Sequence, residues 1–178
     1  MMTIGHSTLG IEAFLRALEE NGVEVLVDVR RFPGSRRHPQ FSQAALFASL
    51  KAVGIRGVWR EGMGGRREPV PDSVNTGWKN ESFRGYADYM QTEAFAREID
   101  WLVGLPEIDR TVVMCAEALP WRCHRSLIAD AVLARGVAVE DIFVKADGES
   151  QRRTHEMTSF AQVSEGRVWY PKEPLLFG

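Results

Sequence analysis

The segment Thr111–Gly136, TVVMCAEALPWRCHRSLIADAVLARG, decides the fold that this chain is expected to adopt. Its first four residues are apolar or β-branched, which is typical of a strand buried on both faces. After a polar loop, apolar residues return at helical spacing, at Leu127, Ile128, Ala131 and Val132. A strand, a loop and a helix in succession form the repeating unit of a parallel sheet covered by helices. The polar loop is therefore expected at the carboxyl end of the sheet, where open α/β folds bind their ligands.

The alternation of strands and helices continues on both sides of this segment. Further buried strands are predicted at Met2–His6, Val23–Val29, Ile55–Trp59 and Val137–Val144, and the tail from His155 to Gly178 is expected to be extended. Apolar residues at helical spacing separate these strands. Four or five strands alternating with helices predict an α/β fold, a single-domain three-layer sandwich over residues 1–178. The sheet is expected to be mostly parallel and of Rossmann-like or flavodoxin-like type.

Length and composition limit the class of protein. A chain of 178 residues with 44% hydrophobic residues can bury a full core without disulfides or a structural metal. It contains no apolar run near the roughly 18 residues that a membrane span needs. Its start lacks the basic-then-apolar pattern of a secretion signal. We therefore expect a cytoplasmic protein with no membrane partner, in which both cysteines are free thiols.

Positive charge is concentrated in the first part of the chain. Residues 1–67 carry 10 Lys and Arg against 6 Asp and Glu, whereas residues 68–178 carry 12 against 18. Most of the basic residues in the first part are arginines, whose planar guanidinium groups suit phosphate and carboxylate ligands. The overall pI near 6.1 disfavours the broad positive surface on which non-specific nucleic-acid binding depends.

Reactive side chains follow three of the predicted strands. His6 ends the first strand, Asp28 and Arg30 lie at the end of the second, and Cys115 follows the strand that begins at Thr111. Because the carboxyl ends of parallel strands meet at one edge of a sheet, a single cleft is expected to collect these groups.

Four residues are candidates for catalysis. Cys115 precedes a helix N-terminus, which together with Arg125 or His124 would stabilise a thiolate and make it a nucleophile. His6 and His124 are acid or base candidates by residue type, and Glu117 would orient one of them. The alternative is that Cys115 is only a small buried residue that completes a core strand.

A cleft of this kind would also bind a small anionic ligand, phosphorylated or nucleotide-like. Helix N-terminal amides and arginine side chains bind phosphate and carboxylate groups. The candidate ligand-binding residues are Ser7, Asp28, Arg30, Arg36 and Arg125, together with Trp121, whose ring would stack on a flat ligand. The alternative is that Asp28 and Glu117 neutralise Arg30 and Arg125 in buried pairs. An enzyme with an anionic substrate is the favoured hypothesis.

Two other hypotheses use the same part of the chain. Cys115, Cys123 and His124, with Glu117, are of the types that bind zinc. Adjacent residues at a helix start point about 100° apart, however, which argues against a shared ion. No metal is therefore predicted, and the sequence leaves the cofactor unknown. The other hypothesis is a non-catalytic nucleic-acid or ligand-binding module that uses the arginine-rich loops at 30–37 and 66–67.

Four motifs occur together over most of the chain. They are Thr3-Ile4-Gly5-His6-Ser7, Asp28-Val29-Arg30, Gly64-Gly65, and Cys115-Ala116-Glu117 followed by Pro120-Trp121 and Cys123-His124-Arg125. This combination resembles the bacterial domain-of-unknown-function 488 family. The resemblance runs from Thr3 to the Leu176-Phe177 end of the chain. It implies an α/β fold and brings no established reaction with it.

Overall fold

A computed structural model of the protein describes residues 1–34, 37–145 and 147–173. Within these residues the central sheet has six strands: β1 (Met2–Gly5), β2 (Val25–Asp28), β3 (Arg56–Trp59), β4 (Thr111–Cys115), β5 (Glu140–Val144) and β6 (Ser150–Thr154). Their order across the sheet is β3-β2-β4-β1-β5-β6. The first five are parallel, and β6 is antiparallel to β5. The prediction of a mostly parallel sheet is confirmed.

Helices cover both faces of the sheet. They are α1 (Ile11–Glu20), α2 (Gln43–Ala52), α3 (Glu81–Tyr89), α4 (Glu93–Val103) and α5 (Arg125–Ala134). Phe14 of α1 and Leu46 of α2 belong to one buried core. Tyr86 of α3, Ile99 of α4 and Ile128 of α5 belong to a second core. This arrangement is the predicted three-layer sandwich. No helix in the described parts of the chain is long and apolar enough to cross a membrane.

Residues of β4 alternate between the two cores. Val112 and Met114 belong to the core with α1 and α2, whereas Val113 and Cys115 belong to the core with α3, α4 and α5. Every residue of β4 is buried. Burial on both faces explains why the sequence shows a continuous apolar run here rather than an alternating one.

The last part of the chain differs from the prediction. The strand expected at 137–144 begins only at Glu140, and the Val139 carbonyl before it accepts a hydrogen bond from the His155 amide. The edge strand β6 was not predicted, because its sequence SQRRT is polar and mostly exposed. The tail expected to be extended forms, within its described residues, a hairpin of β7 (Gln162–Ser164) and β8 (Arg167–Trp169), and residues 174–178 of it lie outside the described residues. Glu165 and Gly166 between them both have positive φ, as short hairpin turns require.

The order of the strands positions the cleft. β2 and β4 are neighbours, but α2, which follows β2, and α5, which follows β4, lie on opposite faces of the sheet. The loops after these two strands therefore diverge and leave a crevice beyond their carboxyl ends, which is the usual ligand position in such sheets.

Candidate functional site

A cleft opens at the carboxyl ends of β2 and β4, and its inner lobe has a volume of about 280 Å³. Cys115, Cys123 and His124, here called the cysteine cluster, line this lobe. Both cysteines are buried, at 7% and 4% exposed, whereas Arg66 and Arg122 of the same lobe are exposed. The cysteine cluster therefore forms the floor of the lobe, and the arginines form its rim.

An outer lobe of about 580 Å³ adjoins the first, and it includes His6 and Ser7 of the loop after β1. The two lobes share several lining residues, which are Arg30, Phe32, Ala116, Glu117 and Arg122. They are thus two parts of one cleft. Four side chains that line it, Arg31, Arg37, Arg66 and Arg122, are called the arginine rim below.

The three donor atoms of the cysteine cluster converge. The Sγ atoms of Cys115 and Cys123 and a ring nitrogen of His124 all lie within 4.8 Å of one another. Cys123 Sγ is 3.7 Å from His124 Nδ1. The sequence-based argument that these neighbours diverge by a helical rotation is wrong, because Cys123 has extended backbone (φ −137, ψ 142) and α5 begins only at Arg125.

The imidazole of His124 is held in one orientation. Its Nε2–H donates to the Val29 carbonyl at 3.2 Å, which leaves Nδ1 as the ring nitrogen that faces Cys123. The ring of Tyr86 packs against it at 4.9 Å, and the Tyr86 hydroxyl donates to the Met63 carbonyl at 2.7 Å. Gly65 lies against the same imidazole, since a Cβ at this position would be 2.8 Å from Nδ1.

The two thiols have opposite acidities. A hydrogen bond from Cys123 lowers the pKa of Cys115 well below its usual value, and His124 and Arg125 add to this effect. Burial raises the pKa of Cys123, and the neighbouring Cys115 raises it further. Of the two thiols, Cys115 is therefore the one whose deprotonation is favoured, and Cys123 is the one that keeps its proton. Both cysteines are free of disulfides.

Arg30 is paired inside the protein rather than presented to the cleft. Its Nε and Nη2 donate to the two carboxylate oxygens of Asp28 at 2.9 and 2.6 Å, and its Nη1 donates to the Phe41 carbonyl at 2.8 Å. Asp28 is fully buried, and Arg30 is 7% exposed. The buried pair offered as the alternative for these two residues is therefore the observed arrangement. Arg30 holds the loop after β2 in place, and it also lines both lobes.

His6 has neighbours at both ring nitrogens. Its Nε2 accepts from Arg30 Nη1 at 3.3 Å, which leaves Nδ1–H to donate to the Ser7 carbonyl at 3.0 Å. Its ring stacks on Phe41 at 4.2 Å. Burial and the charge of Arg30 lower the pKa of His6 to about 4. His6 is therefore neutral at pH 7 and lines the outer lobe as a fixed polar wall.

Arg125 shapes the loop after β4. It is 1% exposed, and its guanidinium donates to the carbonyls of Glu117 and Ala118, the latter at 2.8 Å. The buried pairing with the Glu117 carboxylate, which was the alternative for Arg125, is not the observed contact, because the guanidinium donates to the Glu117 backbone oxygen instead. Glu117 is exposed and lines both lobes. Arg125 therefore supports the cleft wall from behind instead of facing a ligand.

Three other predicted residues lie in different places. Ser7 lines the outer lobe with a positive φ of 47°, and its amide donates to the Ala116 carbonyl at 2.8 Å. Trp121 is 59% exposed and lines a separate cavity of about 710 Å³ beside Phe143, not the cleft. The Pro120 turn directs it there. Arg36 lies outside the described residues.

A family model described as "Domain of unknown function DUF488" matches residues 10–132, more than half of the chain. The chain belongs to this family. No curated protein and no solved structure matches the chain.

Within this DUF488 chain, the geometry adds residues that the sequence did not single out. Phe32 is 62% exposed and lines both lobes, with the guanidinium groups of Arg31 and Arg66 at 5.7 and 5.5 Å from its ring. Nothing in the sequence distinguished Arg122 from the other residues next to Cys123. The Gly64-Gly65 pair was the one available signal for the close packing around His124. The cleft thus combines two cysteine sulfurs, an imidazole nitrogen and several arginine side chains within one pocket.

Proposed function

We propose that this DUF488 protein is an enzyme that binds a small anionic substrate in the cleft and uses the cysteine cluster as its reactive centre. The observation that supports the proposal is the position of the cluster at the floor of a lobe whose rim carries arginines. A substrate anion held at the rim would present its reacting atom to the floor. Binding and positioning of this kind provide much of the rate acceleration of enzymes.

The arginine rim is suited to an anion because no carboxylate in the described parts of the chain forms a salt bridge with its guanidinium groups. Within the described residues, Arg37, Arg66 and Arg122 form no salt bridge, whereas Arg30, Arg56 and Arg60 do. Guanidinium groups bind phosphate and carboxylate in bidentate geometry. In this proposal Arg66 and Arg122 contact the anion, while Arg30 and Arg125 hold the two loops in place.

The roles at the floor follow from the contacts. Cys115 supplies the thiolate, Cys123 donates a hydrogen bond to it, and His124 lies beside both. Ser7 and Glu117 border the part of the cleft through which a substrate would enter. Phe32 offers an apolar face to the non-ionic part of a substrate.

The test is a calorimetric titration of the purified protein with inorganic phosphate and with a set of phosphorylated metabolites. In the double variant Arg66→Ala/Arg122→Ala, binding is expected to weaken by about tenfold or more, since hydrogen bonds to charged groups contribute about 1.5–3 kcal/mol each. Arg97→Ala is the matched control, because Arg97 is exposed on α4 and lines none of the cleft. Equal affinities in the double variant and the control would contradict the proposal.

The same protein tests the nucleic-acid alternative. Binding of an oligonucleotide that weakens steeply between about 50 and 200 mM salt would indicate contacts to a phosphate backbone. A compact cleft that binds one small anion is expected to respond less to salt. A strong salt dependence together with no binding of small phosphates would favour the binding module over the enzyme.

A further inference from the structure

The cysteine cluster has the dimensions of a metal site. Zinc binds sulfur at about 2.3 Å and nitrogen at about 2.0–2.1 Å in tetrahedral geometry, which places two such ligand atoms about 3.5–3.8 Å apart. Cys123 Sγ and His124 Nδ1 are 3.7 Å apart. All three donor atoms lie within 4.8 Å of one another, so small side-chain movements bring Cys115 Sγ to the same spacing.

His124 is arranged as metal-binding histidines usually are. Such residues donate the N–H of one ring nitrogen to a carbonyl or carboxylate, which fixes the tautomer and leaves the other nitrogen for the ion. The Nε2–H of His124 donates to the Val29 carbonyl at 3.2 Å. Nδ1 is therefore the donor that remains, and it is the nitrogen that faces Cys123.

Gly65 packs against the face of the His124 imidazole. A Cβ at residue 65 would lie 2.8 Å from His124 Nδ1, tighter than ordinary contacts allow. The φ of Gly65 is not in the left-handed region, so its backbone conformation does not require glycine. Such a Cβ would also be 3.2 Å from both Cε1 and Cγ of the ring, which places it over the face of the imidazole. Glycine at this position therefore lets the backbone pack on the ring face and helps to hold the imidazole in the orientation that directs Nδ1 toward Cys123.

We propose that Cys115, Cys123 and His124 bind one divalent zinc ion, with a fourth coordination position open to the inner lobe. Two sulfurs and one imidazole are the donor types that select zinc over magnesium or calcium. Among the described residues, the group consists of these three donors alone. Three protein ligands with an open position are typical of catalytic rather than structural zinc.

The charges are consistent with an anionic substrate. Two thiolates would neutralise the divalent ion, and the buried guanidinium of Arg125 nearby would leave the floor positive. The ion would serve as the Lewis acid of the enzyme proposed above. Only this role rests on the proposed function, because binding of the ion depends on the three ligands and is measured without substrate.

The test is titration of the metal-free protein with Co²⁺ and Zn²⁺, with the metal content of the protein measured after desalting. The wild-type protein is expected to bind one equivalent and, with Co²⁺, to show the intense near-ultraviolet absorption of thiolate coordination. The affinity for the metal is expected to fall on the order of 100-fold or more in each ligand variant, since even loss of an outer-shell contact lowers metal affinity 10–100-fold. These variants are Cys115→Ser, Cys123→Ser and His124→Ala. His38→Gln, which alters a histidine of the outer lobe, is the control and is expected to keep one equivalent.

The wild-type spectrum decides the question even where a ligand variant does not fold. A wild-type protein that binds less than one equivalent at micromolar metal, or that gives Co²⁺ absorption without thiolate bands, overturns the metal proposal. Phosphate binding that depends on Arg66 and Arg122 in the metal-free protein would in that case still stand. One equivalent of zinc without any anion binding would instead contradict the proposed function and leave the metal site in place.

Discussion

Gly5 at the end of β1 lies directly against the backbone carbonyl of Glu117, so that a Cβ at residue 5 would be 1.7 Å from that oxygen. The same oxygen accepts a hydrogen bond from the buried guanidinium of Arg125. The loop after β4 is thus fixed between the end of a neighbouring strand and the first residue of α5. This contact sets the path of the chain from Cys115 to Cys123.

Substitution of Gly5 by alanine is expected to displace this loop. The clash is with backbone, which cannot rotate away, and overpacking of a buried contact costs about 1–3 kcal/mol. Chemical denaturation of Gly5→Ala should show this loss of unfolding free energy. Gly34→Ala is the matched control, because a Cβ at residue 34 has nothing within 4 Å. Equal stabilities of the two variants would show that the loop is not fixed by this contact.

Arg125→Lys tests the second contact to the same loop. A lysine keeps the charge but has one nitrogen, so it cannot reach both carbonyls, at Glu117 and Ala118, in the present geometry. Loss of buried hydrogen bonds from a charged group is expected to cost about 2–4 kcal/mol of unfolding free energy. Urea denaturation measures this, with the exposed Arg97→Lys as control. If Arg125→Lys loses no more unfolding free energy than Arg97→Lys, the loop keeps its path without the Arg125 guanidinium.

The C-terminal segment is tied to the sheet by a buried charge network that predicts a pH dependence of stability. His155 Nδ1 donates to Asp141 at 2.8 Å and Nε2 donates to Asp130 at 3.1 Å, and Asp130 also accepts from the Tyr170 hydroxyl at 2.8 Å. Burial lowers the pKa of His155, but the two carboxylates outweigh it and raise the pKa to about 9. Both ring nitrogens are therefore protonated at neutral pH.

A folded-state pKa above the unfolded value of about 6.5 means that the protonated His155 stabilises the folded state. This contribution is complete below about pH 6.5 and is lost as the pH rises through about 9. Denaturation from pH 6 to 10 is expected to show a decline of about 2 kcal/mol that is absent in His155→Gln, after allowance for solvent screening. The comparison with the variant removes the titration of other groups. Parallel pH profiles of the two proteins would contradict the assignment.

The fold could be predicted wherever burial leaves a pattern in the sequence. β1, β2, β4 and β5 lie in the interior of the sheet, and β3 is an edge strand. All five were located by their apolar runs, with Ile55–Trp59 one residue too long at its start. β6 has no such pattern, because an edge strand with the sequence SQRRT is stabilised by pairing with β5 and not by burial. The Glu165-Gly166 turn was a usable signal for the last hairpin.

The candidate site was predictable in position but not in contacts. The end of a strand fixes where Cys115 and Arg30 lie, and strand order then brings them to one cleft. Which partner a side chain contacts depends on the path of the loop, and residue types alone do not determine that path. Arg125 thus meets carbonyl oxygens, and Cys123 converges with His124 because the helix starts after both of them.

Gly65→Ala is expected to disturb the cysteine cluster without unfolding the protein. The added methyl group would lie 2.8 Å from His124 Nδ1 and would therefore displace the imidazole. A chelator competition assay should show zinc affinity reduced by about tenfold or more, comparable to loss of an outer-shell contact. Gly34→Ala, at the edge of the outer lobe, is expected to bind zinc as the wild type does. Unchanged affinity in Gly65→Ala would mean that zinc binding does not depend on the present orientation of the His124 imidazole.

The most direct test of the proposed function is the rate at which iodoacetamide alkylates Cys115 in metal-free protein, located by mass spectrometry, with and without phosphate. If the anion binds at the rim above the cysteine cluster, phosphate should slow alkylation of Cys115 in a saturable manner. The protection should disappear in Arg66→Ala/Arg122→Ala and persist in Arg97→Ala. An alkylation rate that no phosphate or phosphorylated metabolite changes in the wild-type protein would contradict the claim that anion and thiolate share one cleft.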